Sequence, residues 1–90
     1  MIHINICITG RVQGVNFRTY TKEKAEALGI LGFVRNETDG SVYVEAEGSY
    51  EKINELVEWC KHGPPRAQVT NAKVISGELK EFSRFEIRRF

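Results

Sequence analysis

Isoleucine recurs at every second position at the beginning of the chain. The isoleucines are Ile2, Ile4, Ile6 and Ile8, and they alternate with His3, Asn5, Cys7 and Thr9. Successive side chains of a strand point to opposite faces of a sheet, so a period of two is typical of a half-buried strand. We predict a strand over residues 2–9 whose isoleucines face the core.

A helical spacing follows a loop bracketed by glycines. The loop is the stretch Gly-Arg-Val-Gln-Gly at residues 10–14. After it, residues suited to a buried helix face recur three or four positions apart, namely Phe17, Tyr20, Thr21, Ala25 and Leu28. This period is that of an amphipathic helix. Gly29 is of the type that commonly ends a helix, so we predict that the first helix stops there.

Two further strands and a turn come next. Residues 30–35 read as a strand, and residues 42–47 alternate apolar with polar side chains. Between them, residues 36–40 are rich in turn formers and end in Asp39-Gly40, a pair that is favoured in tight hairpins. We therefore predict that these two strands form a hairpin.

A second helix and two more strands complete the chain. Ser49 is a good N-cap residue for the helix, and Gly63-Pro64-Pro65 ends it. Its apolar stripe consists of Ile53, Leu56, Val57 and Cys60. Residues 67–75 and 82–87 are the remaining strand candidates.

The order of these elements is β-α-β-β-α-β followed by a C-terminal strand. It predicts a ferredoxin-like α+β sandwich, in which two helices pack on one face of a mostly antiparallel sheet. The length of 90 residues predicts a single domain over residues 1–90. In this fold Cys7 and Cys60 lie on opposite faces of the sheet, so a disulfide between them is geometrically unfavourable. We expect both to be reduced thiols.

Composition limits the partners. The chain has 13 Lys and Arg against 12 Asp and Glu, a net charge of +1 that argues against a protein that wraps a polyanion. No apolar run approaches the roughly 20 residues of a membrane span, and the N-terminus lacks the features of a signal peptide. His3 and His62 have no metal-ligand spacing with the cysteines. We predict a cytoplasmic protein without metal, cofactor, nucleic-acid or membrane partner.

The loop before the first helix is suited to an anion. Backbone N–H groups entering a helix lack intrahelical partners, and glycines allow them to converge at the positive end of the helix dipole. Arg18 falls in the first turn of the helix, where acidic residues are usually preferred, and its forked donors can reach the same anion. From these residues alone, a structural turn with a solvated arginine is the alternative.

Long motifs in the chain resemble those of one enzyme family. Residues 8–18 (Ile-Thr-Gly-Arg-Val-Gln-Gly-Val-Asn-Phe-Arg) are similar to the first signature of the acylphosphatases, and residues 32–42, continuing to Gly48, are similar to the second. Residues 63–67 (Gly-Pro-Pro-Arg-Ala) match a further family feature. The resemblance implies a small, metal-independent hydrolase of acyl phosphates, which we expect to be a monomer.

The resemblance also implies roles for individual residues. Arg18 is then the phosphate-binding arginine, and Asn36 is the residue that positions the attacking water. The phosphate pocket is lined by backbone N–H groups of Gln13, Gly14, Val15, Asn16, Phe17 and Arg18. Phe33 stands where many members have tryptophan and Tyr43 where many have glutamate, while Asn16 fills a variable position on the cradle.

A non-catalytic ferredoxin-like module that binds a phosphate ligand or RNA is the alternative function. RNA recognition on this fold needs aromatic side chains on the open face of the sheet. The outward positions are predicted to be His3, Asn5, Cys7, Thr9, Tyr43, Glu45 and Glu47, with one tyrosine among acidic neighbours. We expect Arg11, Arg35, Arg88 and Arg89 to be solvated charges.

Overall fold

The computed structural model describes residues 1–89 as one sheet with two helices. The elements are β1 Ile2–Arg11, α1 Phe17–Ala27, β2 Leu31–Asn36, β3 Val42–Gly48, α2 Tyr50–His62, β4 Gln68–Gly77 and β5 Phe85–Ile87. The strand order is β4-β1-β3-β2-β5, in which β5 pairs in parallel with β2 and the other pairings are antiparallel. The predicted fold is confirmed. None of the helices in these residues is long and apolar enough to cross a membrane.

The core lies between the sheet and the two helices. The isoleucines of β1 pack with valines of β3 and with the apolar stripe of α2, as the alternation predicted. Cys60 is buried in this core, and burial raises the pKa of its thiol to about 12. Cys7 is half-buried on β1, and both cysteines are free thiols.

The first strand is longer than predicted because Gly10 continues it. The register with β4 shifts between Thr9 and Gly10, which marks a bulge, and Gly10 has φ +123°. A Cβ atom at this position would lie 2.1 Å from the carbonyl oxygen of Gln68. The glycine therefore permits a close approach of two strands, and the loop before α1 begins only after Arg11.

The outer face of the sheet is less open than predicted. Three of the polar residues expected to point outward are buried, with His3 at 2 %, Glu45 at 5 % and Glu47 at 0 % exposure. The backbone N–H groups of Lys80 and Phe82 donate to the Glu47 carboxylate, so the chain before β5 lies across this face. Buried carboxylates require such donors, and a period-two pattern contains no information about them.

These contacts set the ionisation of the buried carboxylates. Burial raises the pKa of Glu47, but hydrogen bonds from the Lys80 N–H, from His3 and from the Phe82 N–H outweigh it and hold the pKa below its usual value. The pKa of Glu45 is likewise lowered, because bonds from Lys80 and Tyr43 outweigh the effect of burial. Both carboxylates are therefore stabilised in the charged form.

The last strand is shorter than predicted, because residues 82–83 lie outside the sheet and Arg84 contributes only its carbonyl oxygen, which accepts from the Gly32 N–H at 2.9 Å. Phe82 stacks on His3 with ring centroids 6.0 Å apart and meets the edge of Phe33 at 5.9 Å. Only Phe85–Ile87 pair with β2. Phe82, which was predicted to begin this strand, instead packs against His3 and Phe33 on the outer face.

Candidate active site

The inner side of the loop between β1 and α1 is fixed by buried apolar side chains. Val12, Val15 and Phe17 are almost fully buried in the core. The ring of Phe17 packs edge-on against Trp59 with centroids 5.6 Å apart. These anchors leave the backbone of the loop facing outward at the beginning of the helix.

The outer side of the same loop presents backbone donors. Asn16 precedes the helix in the left-handed conformation, with φ 62° and ψ 27°, and no side chain caps the helix there. Within residues 1–89, no carbonyl or side-chain oxygen accepts a hydrogen bond from the N–H groups of residues 14–19. Free donors at a helix N-terminus form a site for an anion.

Arg18 and Asn36 face the same cavity as this loop. The cavity has a volume of about 160 Å³, and its lining includes the predicted residues Gln13, Gly14, Asn16, Phe17, Arg18 and Asn36. Asn36 is the last residue of β2 and is half-buried. Val15 is not among the lining residues, although its backbone N–H is one of the free donors of the loop. The structure thus brings together two predicted residues that are 18 positions apart in sequence.

The side chain of Gln13 connects the loop to the turn that follows Asn36. Its Nε2 donates to the carbonyl oxygens of Glu37 at 2.8 Å and Ser41 at 2.9 Å. The turn is also held by Asp39, whose carboxylate accepts from the hydroxyl and the backbone N–H of Ser41. These two bonds lower the pKa of Asp39. Sequence reasoning gave Gln13 only a backbone role, and no local signal pointed to this connection.

The two arginines near the C-terminus are exposed, as predicted, but they also line openings at the site. A second opening of about 280 Å³ is lined by Arg18, Asn36, Arg88 and Arg89. Arg89 also lines the first cavity. Arg88 lies over the ring of Phe33, with its guanidinium carbon 4.2 Å from the centroid, and approaches Glu86 at 3.6 Å. A parallel strand pairing brings these residues to the site, and sequence periodicity does not specify that pairing.

The comparison with protein families agrees with this geometry. The model of the family described as Acylphosphatase matches residues 4–87. The chain belongs to the acylphosphatase family. The predicted membership is confirmed, and so is the prediction that the chain is an enzyme of this family.

Individual acylphosphatases match along almost the whole chain. A protein named Acylphosphatase from Acaryochloris marina is 45% identical over 89 residues, which cover 99% of this chain and 96% of that protein. The crystal structure of acylphosphatase from Bacillus subtilis has a TM-score of 0.95 at 36% identity and covers 98% of this chain and 99% of that one. An acylphosphatase structure from Coxiella burnetii has a TM-score of 0.94 at 37% identity, with coverage of 97% and 92%.

The two departures from common acylphosphatase residues lie next to each other. The rings of Phe33 and Tyr43 are 6.0 Å apart, and the guanidinium of Arg35 lies over both. Neither ring is among the residues that line the cavity. The departures therefore belong to the packing of the outer face. Burial and the hydrogen bond to Glu45 raise the pKa of Tyr43 to about 12.

Proposed function

We propose that the protein hydrolyses acyl phosphates, with the phosphoryl group bound by the loop and by Arg18. A water molecule attacks phosphorus, the bond between phosphorus and the acyl oxygen breaks, and carboxylate and inorganic phosphate leave. The observation that carries this proposal is the single cavity shared by free N–H groups, a guanidinium and a side-chain amide. Such preorganised donors stabilise charge on phosphoryl oxygens as the transition state forms.

Asn36 is proposed to orient the attacking water. Its amide can accept a hydrogen bond from water and donate another, and it does not titrate. An acyl phosphate has a weakly basic carboxylate as its leaving group, so orientation and charge stabilisation are sufficient and a strong base is not required. Residues 1–89 contain no group of three His, Cys, Asp or Glu side chains that could hold a metal ion. We expect turnover to be independent of metals.

The test is release of inorganic phosphate from benzoyl phosphate in the presence of EDTA. Arg18→Ala should nearly abolish turnover, and Arg18→Lys should restore little, because an ammonium lacks the planar fork of donors. Asn36→Ala should lower kcat by roughly 100-fold or more, as loss of an oxyanion-hole donor does, and still bind phosphate. Arg66→Ala and Asn71→Ala, at exposed positions away from the cavity, are the matched controls.

The alternative functions give different results in the same assays. Phosphate binding without any turnover of benzoyl phosphate would indicate a non-catalytic phosphate-binding module. Wild-type turnover by Asn36→Ala would remove the proposed role of that residue. We also propose that the protein is a cytoplasmic monomer and that it has no nucleic-acid partner, the last of these on the basis of its near-neutral charge balance. Tight, salt-sensitive binding of single-stranded RNA in a gel-shift assay would contradict this.

A further inference from the structure

The chain that follows β5 brings Arg89 to the openings that Asn36 also lines. β2 and β5 pair as Gly32 with Phe85 and Val34 with Ile87, and the N–H of Arg88 continues the ladder by donating to the Val34 carbonyl at 2.9 Å. Continued by two residues beyond the paired segment, this register would place position 89 opposite position 36, and both residues line the same two openings.

Alternation along the strand explains why Arg89, and not Arg88, serves the cavity. Ile87 lines the cavity and packs on the core, so the side chain two residues later points to the same face. Arg88 is part of the second opening, but its guanidinium lies over Phe33 on the other face of the sheet and it does not line the first cavity. The contact with Phe33 holds the guanidinium of Arg88 on the outer face, so Arg89 lies on the side of the site.

The charges of the site indicate what Arg89 does. A phosphoryl group carries about −1.5 to −2 charges at neutral pH, whereas Arg18 supplies only one positive charge. The lining residues of both openings include no Asp or Glu among residues 1–89, and Arg89 lines both. We infer that Arg89 is a second guanidinium of the phosphate site and donates to phosphoryl oxygens from the side of Asn36. This inference rests on the proposed function.

We expect Arg89 to bind the phosphoryl group equally in the substrate and in the product. Arg18 differs, because it is expected to be essential for turnover. An interaction made equally in the ground state and the transition state changes KM without changing kcat. Arg89→Gln should therefore raise KM for benzoyl phosphate and the dissociation constant of inorganic phosphate together, by roughly tenfold for a hydrogen bond to a charged group. Its kcat should change by less than about threefold.

Calorimetric titration with inorganic phosphate and steady-state kinetics with benzoyl phosphate are the two measurements. The role inferred for Arg89 is to supply positive charge and not the bidentate fork expected of Arg18, so Arg89→Lys should recover most of the phosphate affinity, which a purely structural role would not explain. Arg84→Gln is the matched control, because that side chain is 77% exposed before β5 and lines neither opening. Circular dichroism of each variant checks that it is folded.

The outcomes separate this inference from the proposed function. If the wild-type protein binds phosphate without turnover and Arg89→Gln weakens that binding, the proposal of hydrolysis is wrong, and the inference that Arg89 binds phosphate is supported. If Arg89→Gln keeps the wild-type KM and phosphate affinity while the enzyme is active, only the inference is overturned. A loss of kcat with unchanged phosphate affinity would also overturn it.

Discussion

The two hydrogen bonds of the Gln13 side chain should control activity through the position of Asn36. Gln13→Met keeps the length of the side chain and removes both donors to the carbonyls of Glu37 and Ser41. These carbonyls belong to the turn that begins directly after Asn36. Without the connection, the turn can shift relative to the phosphate loop, and a small displacement of a positioning residue is costly in catalysis.

The size of the effect follows from the partners that remain. Each lost hydrogen bond contributes about 1 kcal/mol to stability. The carbonyls keep other donors, since Gly40 N–H donates to Glu37 and Glu37 N–H donates to Ser41. No additional penalty for an unpaired buried group is therefore expected, and the loss stays near 2 kcal/mol. For a domain of this size that corresponds to a decrease in Tm of roughly 10 °C.

Thermal unfolding followed by circular dichroism and kcat with benzoyl phosphate test this reasoning together. We expect Gln13→Met to lower both Tm and kcat, with little change in phosphate affinity, because the N–H groups of the loop stay in place. Gln68→Ala is the control, since Gln68 is exposed and its side chain makes no hydrogen bond within residues 1–89. A Gln13→Met variant with the Tm and kcat of the wild type would refute the coupling between loop and turn.

Three further predictions concern the core and the outer face. The pKa of Glu47 is lower in the folded protein than in the unfolded chain, where it is near 4.3. The ionised carboxylate therefore stabilises the fold fully when the pH is above the unfolded-state pKa, and this contribution is lost as the pH falls through the folded-state pKa. Denaturant titrations should show Glu47→Gln to be less stable at pH 7 and less sensitive to acid. Half-buried Cys7 should react with a thiol reagent in the folded protein. Cys60, which is buried and has a pKa of about 12, should react only after denaturant is added. Gly63→Ala should lower the free energy of unfolding by about 2 kcal/mol or more, because its Cβ would lie 2.6 Å from Phe17 Cε2. Gly29 has a similar φ of +70° but no atom within 4 Å of the added Cβ, so Gly29→Ala should lower it by less in the same denaturant titrations.

Local patterns were sufficient to predict most of the secondary structure. The isoleucine alternation identified β1, and Ser49 is the N-cap of α2, with its Oγ accepting from the Lys52 N–H at 3.3 Å. The first helix ends at Ala27 with Leu28 as its C-cap, immediately before Gly29, as that glycine indicated. Each of these features depends on residues within a few positions of one another, which is the range over which periodicity and capping rules apply.

Features that depend on distant pairing were missed. The sequence showed Glu45 and Glu47 alternating with Val44 and Ala46, but donors that satisfy the buried carboxylates come from Lys80 and Phe82. The bulge at Gly10 arises from the backbone of β4, almost 60 residues later. In each case the physical cause is a contact between segments whose separation in the chain conceals it.

The outer face and the candidate site are linked through β5. This strand has only three paired residues, so its position depends on more than the ladder with β2. On the outer side, the Arg88 guanidinium lies 4.2 Å from the centre of the Phe33 ring, and Phe82 packs against the same ring. Because alternate residues of a strand point to opposite faces, fixing Arg88 on one side determines where Arg89 emerges on the other. A residue that departs from the family pattern, Phe33, thereby supports the strand that carries a second positive charge to Asn36.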